Sequence, residues 1–208
     1  MKLDSVVYTV AGMAFGVILG WVIGSQQLGR TGAAAPAPQA AAASAAPASG
    51  GATGGRTPPT LDQARVNQLS ATIANDAKNL TAVVQLANVY FDAERWSDAI
   101  SWYEKALALD PKNADVSTDL GVSYYYTNRT EEALQRFEAS LKIDPKHTKT
   151  LLNKGIVLAF GKEDLKGAAV EWQKVVELAP GTPEGEAARR ALEGVAAAHA
   201  NQATPSQQ

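Results

Sequence analysis

The hydrophobic and polar positions divide the chain into three parts with different patterns. From Val6 to Gly24, 19 consecutive residues carry no charge. From residue 25 to residue 59, alanine, glycine and proline replace the large apolar residues. From Thr60 onward, apolar residues recur every three or four positions, which is the spacing of one face of an α-helix. The pattern therefore predicts an apolar helix, a linker and an all-helical domain.

The helical part repeats itself with a period of 34 residues. The stretch WSDAISWYEKALALDPKN, residues 96–113, returns 34 residues later as TEEALQRFEASLKIDPKH, and a third copy fits with one residue inserted between Lys162 and Lys166. Each copy predicts two helices, and a proline after the second helix ends it. The first helices are expected at 80–92, 114–126 and 148–160, and the second helices at 97–109, 131–143 and 165–178.

Small residues occupy matching places in the copies. They are Ala87, Gly121 and Gly155 in the first helices and Ala99, Ala133 and Ala168 in the second helices. At these places the two helices of a copy must approach closely, while aromatic residues fill the gaps between neighbours. We therefore expect a solenoid in which each helix pair buries its apolar face against the next pair.

This period and pattern resemble those of the tetratricopeptide repeat family. The resemblance covers residues 80–180 and is looser in the third copy, where Lys154 and Leu158 replace the usual Leu and Tyr. It implies an all-α solenoid of about three helix pairs with capping helices at both ends. The expected segments are an N-terminal cap at 60–79, repeats at 80–113, 114–147 and 148–181, a C-terminal cap at 182–199 and a disordered tail at 200–208.

Residues 6–24, after a short flank at 1–5, are predicted to form a transmembrane anchor. A helix of this length rises ~1.5 Å per residue and crosses a ~30 Å hydrocarbon core. The alternative is a cleaved signal peptide, whose apolar core usually has about 7–15 residues after a clearly basic start. Lys2 and the terminal amine favour a cytoplasmic N-terminus, while Arg30 favours the opposite orientation.

Four glycines recur at every fourth position of the predicted anchor: Gly12, Gly16, Gly20 and Gly24. Small residues at this spacing let a second helix approach closely in lipid. We therefore expect a helix contact here, including self-association. Glycine is also simply frequent in membrane helices, which is the alternative explanation.

The linker at 25–59 is predicted to be flexible. It contains 11 alanines between Ala33 and Ala48, several prolines, and no charge between Arg30 and Arg56. Residues 31–59 have no large apolar side chains whose burial would offset the entropy lost on ordering.

Composition excludes several classes of function. The formal charge is −2 and the basic residues are scattered, so no basic stripe is available for a nucleic acid. The chain has no cysteine, and its two histidines, His147 and His199, lie 52 residues apart without a metal-ligand spacing. We therefore expect no catalytic residues, no metal and no cofactor.

The resemblance implies that the first helix of each repeat lines a concave groove for an extended peptide or a partner helix. The expected groove residues are Val84, Asn88, Phe91, Asp119, Val122, Tyr125, Tyr126, Lys149, Leu152, Asn153, Ile156 and Phe160. Some family members clamp a terminal carboxylate with Lys, Asn and Arg side chains, and only Asn88 and Lys149 match that set here. Carboxylate clamping is therefore not expected, and an inter-repeat core role is the alternative for Phe91, Tyr125 and Phe160.

Together these features predict a non-catalytic, membrane-anchored scaffold that binds protein partners. The expected setting is a bacterial inner membrane, crossed once, with the N-terminus in the cytoplasm and the repeats in the periplasm, in envelope assembly or protein translocation. The alternative is an accessory, non-catalytic subunit of a membrane enzyme complex, such as one for cytochrome maturation.

Overall fold

The computed structural model describes residues 59–203, with side chains as far as residue 198. This part of the chain folds into eight α-helices without a strand. They are α1 (Gln63–Asn75), α2 (Leu80–Asp92), α3 (Trp96–Leu109), α4 (Ala114–Tyr126), α5 (Thr130–Ile143), α6 (Thr148–Gly161), α7 (Leu165–Leu178) and α8 (Pro183–Ala203). The predicted membrane helix with its glycine row, the linker up to residue 58 and the last five residues lie outside the described residues.

Short polar side chains fix where several helices begin. Asp62, Asn79, Asn113 and Asp164 each accept a hydrogen bond from the backbone N–H three residues later. Such caps satisfy N–H groups that the first turn of a helix leaves without a partner. Because Asp62 is the cap, α1 begins at Gln63, three residues later than the pattern predicts.

The turn inside each repeat has three residues, and its middle residue adopts a left-handed backbone conformation. The φ angles are 56° at Glu94, 61° at Asn128 and 56° at Glu163. The additional residue of the third copy does not enlarge this turn. It lengthens the first helix instead, since α6 has 14 residues where α2 and α4 have 13.

The two helices of each repeat cross at the small residues that the sequence pattern singles out. Ala87, Ala99, Ala133 and Ala168 are fully buried. A Cβ atom on Gly121 would lie 2.6 Å from the Phe137 ring, and one on Gly155 would collide with the Trp172 ring. The Trp172 indole is also fixed in place, because its Nε1–H donates to the Leu152 carbonyl at 3.1 Å. Glycine is therefore required by close packing at these two crossings.

Successive repeats are joined mainly where the second helix of one repeat packs on the following first helix, as α3 does on α4 and α5 does on α6; α4 also contacts α6, and α6 contacts α8. A buried hydroxyl cluster holds the junction between the second and third repeats. Thr118 of α4, Ser140 of α5 and Thr150 of α6 lie within 2.6–3.1 Å of one another, and Ser140 also donates to the Ala114 carbonyl. All three side chains are fully buried. The cluster therefore satisfies its polar groups internally, as burial requires.

The last helix closes the solenoid. Ala187, Ala188, Ala191 and Val195 are buried and join the cluster that contains Trp172. The opposite face is exposed, and α8 continues to Ala203, beyond the predicted end of the cap at residue 199. None of the described helices combines the length and the apolar character needed to span a membrane.

Candidate functional site

The residues expected to line the groove fall into two groups by burial. Seven are half-buried: Val84, Asn88, Asp119, Tyr125, Tyr126, Lys149 and Phe160. Five are buried: Phe91, Val122, Leu152, Asn153 and Ile156. The five buried side chains pack between the helices. The seven half-buried side chains leave part of their surface accessible to solvent. Whether any of these residues contacts a partner stays a prediction.

An open cavity of about 600 Å³ lies along α2, at the N-terminal side of this surface. Its lining residues are Arg65, Leu80, Thr81, Val84, Gln85, Asn88, Val89, Asp92 and Asn113. Thr81, Val84, Gln85, Asn88 and Asp92 lie on one face of α2. The resemblance to the repeat family predicts that this face lines the groove. Arg65 and Asn113 come from outside α2, from the capping helix and from the residue that caps α4.

Arg65 joins the capping helix to the wall of this cavity. Its guanidinium donates to Gln85 Oε1 at 2.6 Å and to Gln68 Oε1 at 2.8 Å. The sequence analysis did not find Arg65, because it treated α1 only as a cap that covers the first repeat. The available signal was the position of Arg65 in the first turn of α1, which runs back along α2.

The charged groups near the middle of the surface are paired with each other. Lys149 Nζ lies 2.7 Å from Asp119 Oδ1, and both side chains are less than one-fifth exposed. The amide of Asn153 donates to the Lys149 carbonyl at 2.8 Å, and Asn88 Oδ1 accepts from the Tyr103 hydroxyl at 2.7 Å. The Lys149 ammonium is therefore already neutralised across the α4–α6 junction.

Four aromatic residues at the C-terminal ends of α2 and α4 and at the start of α3 contact one another and form a group that we call the aromatic shelf: Phe91, Trp96, Tyr125 and Tyr126. The Trp96 and Tyr126 rings stack at 4.2 Å and 9°. Phe91 meets Trp96 edge-on at 5.0 Å, and Tyr125 lies 5.9 Å from Tyr126. Val84, which lines the cavity, packs against the same apolar cluster. Asp92, which also lines the cavity, directly follows Phe91 of the shelf, so the two features are adjacent at the end of α2.

Burial also changes the pKa of two tyrosine phenols, one in the shelf and one next to it. It raises the pKa of the Tyr125 phenol above the ordinary value of 10.0. Burial and the hydrogen bond to Glu104 raise the pKa of the neighbouring Tyr124 phenol as well. Both phenols are therefore neutral at physiological pH and act as apolar rings with a hydroxyl.

One arrangement resembles a catalytic triad in its residue types. His147 Nε2 lies 3.2 Å from Asp115 Oδ1, and His147 Nδ1 lies 2.6 Å from Thr150 Oγ1. The Thr150 hydroxyl, however, is fully buried and bonded to Thr118 and Ser140, so no substrate can reach it. The arrangement is structural. In the described part of the chain, no three histidine, aspartate or glutamate side chains converge as metal ligands would.

Known structures share this architecture. The crystal structure of MamA is 15% identical over 66% of this chain and 88% of that chain, with a TM-score of 0.54. The first tetratricopeptide domain of Spaghetti (RPAP3), bound to the HSP90 peptide SRMEEVD, is 23% identical over 60% of this chain and 96% of that chain, with a TM-score of 0.53. The tetratricopeptide domain of Arabidopsis OM64 is 20% identical over 56% of this chain and 93% of that chain, with a TM-score of 0.52. At these identities the likeness shows the fold.

Family models match the sequence directly. Two models described as tetratricopeptide repeat match residues 78–146 and 118–183. No curated protein sequence matches the chain. The two matches together span the region in which the 34-residue period, the crossings at small residues and the helix pairs occur. The chain belongs to the tetratricopeptide repeat family.

Proposed function

We propose that the chain is a membrane-anchored scaffold that binds an extended peptide or a helix of another protein along α2, α4 and α6. The observation that carries this proposal is the cavity along α2 with the aromatic shelf next to it, where Trp96, Tyr125 and Tyr126 are half-buried. A surface of half-exposed aromatic rings beside a concave cavity is typical of a protein-binding site. The family membership supports the same function, and nothing in the described residues assembles a catalytic group.

The pairing of charges indicates what kind of peptide fits. The HSP90 peptide bound to RPAP3 ends in acidic residues. Here the Lys149 ammonium is neutralised by Asp119, so an acidic tail would find a carboxylate beside the cation. We therefore expect an apolar segment anchored on Tyr125 and Tyr126, with polar contacts to Asn88 and to the edge of the cavity.

The membrane anchor is part of the proposal. The uncharged residues 6–24 support a single membrane crossing, and Lys2 supports a cytoplasmic N-terminus. This arrangement places the repeats in the periplasm of a bacterium, where a scaffold would serve envelope assembly or protein translocation. Gly12, Gly16, Gly20 and Gly24 support a helix contact within the membrane, which self-association would satisfy.

Site-specific photo-crosslinking in cells that express the full-length chain tests the function. A photoreactive residue at Thr81, which is exposed at the cavity, is expected to capture a protein. The matched control is Val170 on α7, which is 56% exposed and lies outside the cavity lining. Tyr125→Ala in the Thr81 variant should strongly reduce the adduct. Equal adducts at Thr81 and Val170, or an adduct that Tyr125→Ala leaves unchanged, would contradict the proposed groove.

A further inference from the structure

The described chain enters α1 near the C-terminal end of α2. Leu61 packs in the same cluster as Val89 and Tyr90, near the C-terminal end of α2. Four residues later, Arg65 forms part of the cavity wall. The described chain therefore begins in the cluster that contains Val89 and Tyr90, close to the cavity that Arg65 and Val89 line, which is the proposed groove at α2.

The segment attached there has a composition that suits this surface. Residues 31–55 carry no charge and include Pro36, Pro38 and Pro47 among alanines. Aromatic-lined grooves bind proline-containing extended segments, because such segments lose little conformational entropy on binding. An uncharged segment also covers the Lys149–Asp119 pair without bringing a third charge out of water.

We infer that residues 33–48 of this chain are a ligand of its own groove and compete there with the protein partner. The inference rests on the proposed peptide-binding function. Tethering makes the competition effective, since a short linker gives an effective concentration on the order of millimolar. An intrinsic Kd as weak as about 1 mM then fills the groove in about half of the molecules and weakens partner binding about twofold.

Reach does not limit the contact. An extended chain spans about 3.3–3.6 Å per residue, and ten residues separate Ala48 from Pro59. Neighbouring helices pack about 8–10 Å apart, so the surface from α2 to α6 is about 20 Å wide. The ten residues between Ala48 and Pro59 are therefore sufficient to place the alanine and proline stretch on the shelf.

Distance measurements between two spin labels on the full-length chain without a partner test this inference. The chain has no cysteine, so each pair of labels needs only two substitutions. One pair is Ser44→Cys with Thr81→Cys at the cavity, and the control pair is Ser44→Cys with Val170→Cys on α7. Occupation of the groove predicts a resolved distance peak for both pairs, with the Thr81 distance shorter.

A second variant changes only the segment and leaves the repeats intact. Adding Ala37→Asp and Ala43→Asp places two carboxylates on the segment, which should release it and broaden both distance distributions. Broad distributions in the starting protein, a shorter distance to Val170, or a peak that the two aspartates leave unchanged would each overturn the inference. Because no partner is present, the result is separate from the crosslinking test: an unoccupied groove would still leave the proposed partner binding intact.

Discussion

At the scale of single residues, the turn inside each repeat holds a residue other than glycine in the left-handed region. Glu94, Asn128 and Glu163 occupy the same place in the three repeats, with φ between 56° and 61°. A side chain with a Cβ is strained there, whereas asparagine tolerates this region better than glutamate. The three turns therefore store different amounts of strain in the same backbone.

Replacing the strained glutamate of the third repeat should stabilise the protein. We expect Glu163→Gly to raise the free energy of unfolding by about 0.5–1 kcal/mol, since the relief of strain exceeds the entropy that glycine gives to the unfolded chain. Asn128→Gly is the matched control and should give a smaller gain. Urea unfolding of both variants measures the difference, and a larger gain at residue 128 would refute this account of the turns.

The half-buried phenol of Tyr125 predicts a dependence of stability on alkaline pH. Burial raises the folded pKa above the ordinary 10.0, so the unfolded state loses the proton first as pH rises. The contribution of Tyr125 to stability is therefore fully present below pH 10 and is lost above it. Tyr125→Phe should lower this alkaline loss of unfolding free energy between pH 9 and pH 11. Identical pH profiles for the two proteins would show that Tyr125 titrates normally.

At the scale of helices, the close crossing of α6 and α7 depends on Gly155 and Trp172. A Cβ at Gly155 would collide with the indole, which is held by its hydrogen bond to the Leu152 carbonyl. The indole can move away only by losing that bond. A Cβ on Gly121 would likewise collide with the Phe137 ring. That ring, however, can move without losing a hydrogen bond.

We expect Gly155→Ala to lower the free energy of unfolding by about 1–3 kcal/mol, which is the usual cost of overpacking a core. Gly181→Ala is the control, because nothing lies within 4 Å of a Cβ at that position, and its effect should stay within about 0.5 kcal/mol. Thermal unfolding followed by circular dichroism distinguishes them. A neutral Gly155→Ala variant would mean that the helix pair can separate without loss.

The sequence predicts the ends of the six repeat helices to within one residue, because each type of boundary occurs in three copies that can be compared. It misses the start of α1 by three residues and the end of α8 by four, where no second copy is present for comparison. The site is less predictable. Position in the repeat places a residue on a helix face, but the depth of its burial depends on neighbours from other repeats, as Leu152 and Ile156 show.

The buried hydroxyl cluster shows the same limit. Thr118, Ser140 and Thr150 come from three helices, and their mutual distances follow from how the repeats stack. Periodicity alone does not predict that a threonine on a first helix is buried. The Lys149–Asp119 pair is likewise a property of two packed helices, although both residues were expected near the groove.

At the scale of the whole molecule, the features of the proposed site follow one another along the first helices α2, α4 and α6. Arg65 and the cavity lie at α2, and the aromatic shelf lies next to them. The Lys149–Asp119 pair joins α6 to α4. Central aromatic residues usually dominate the free energy of such interfaces, while charges at the rim contribute less. The account therefore assigns most of the binding energy to Tyr125 and its aromatic neighbours.

The affinity of the captured partner for three forms of the full-length chain tests this claim most directly. Tyr125→Ala should weaken binding at least about tenfold while the melting temperature stays close to that of the starting protein. Tyr125→Phe keeps the ring and should bind within about twofold. Unchanged affinity in Tyr125→Ala would contradict the account, and so would a loss of binding accompanied by a collapse of the melting temperature, since Tyr125 would then be a core residue.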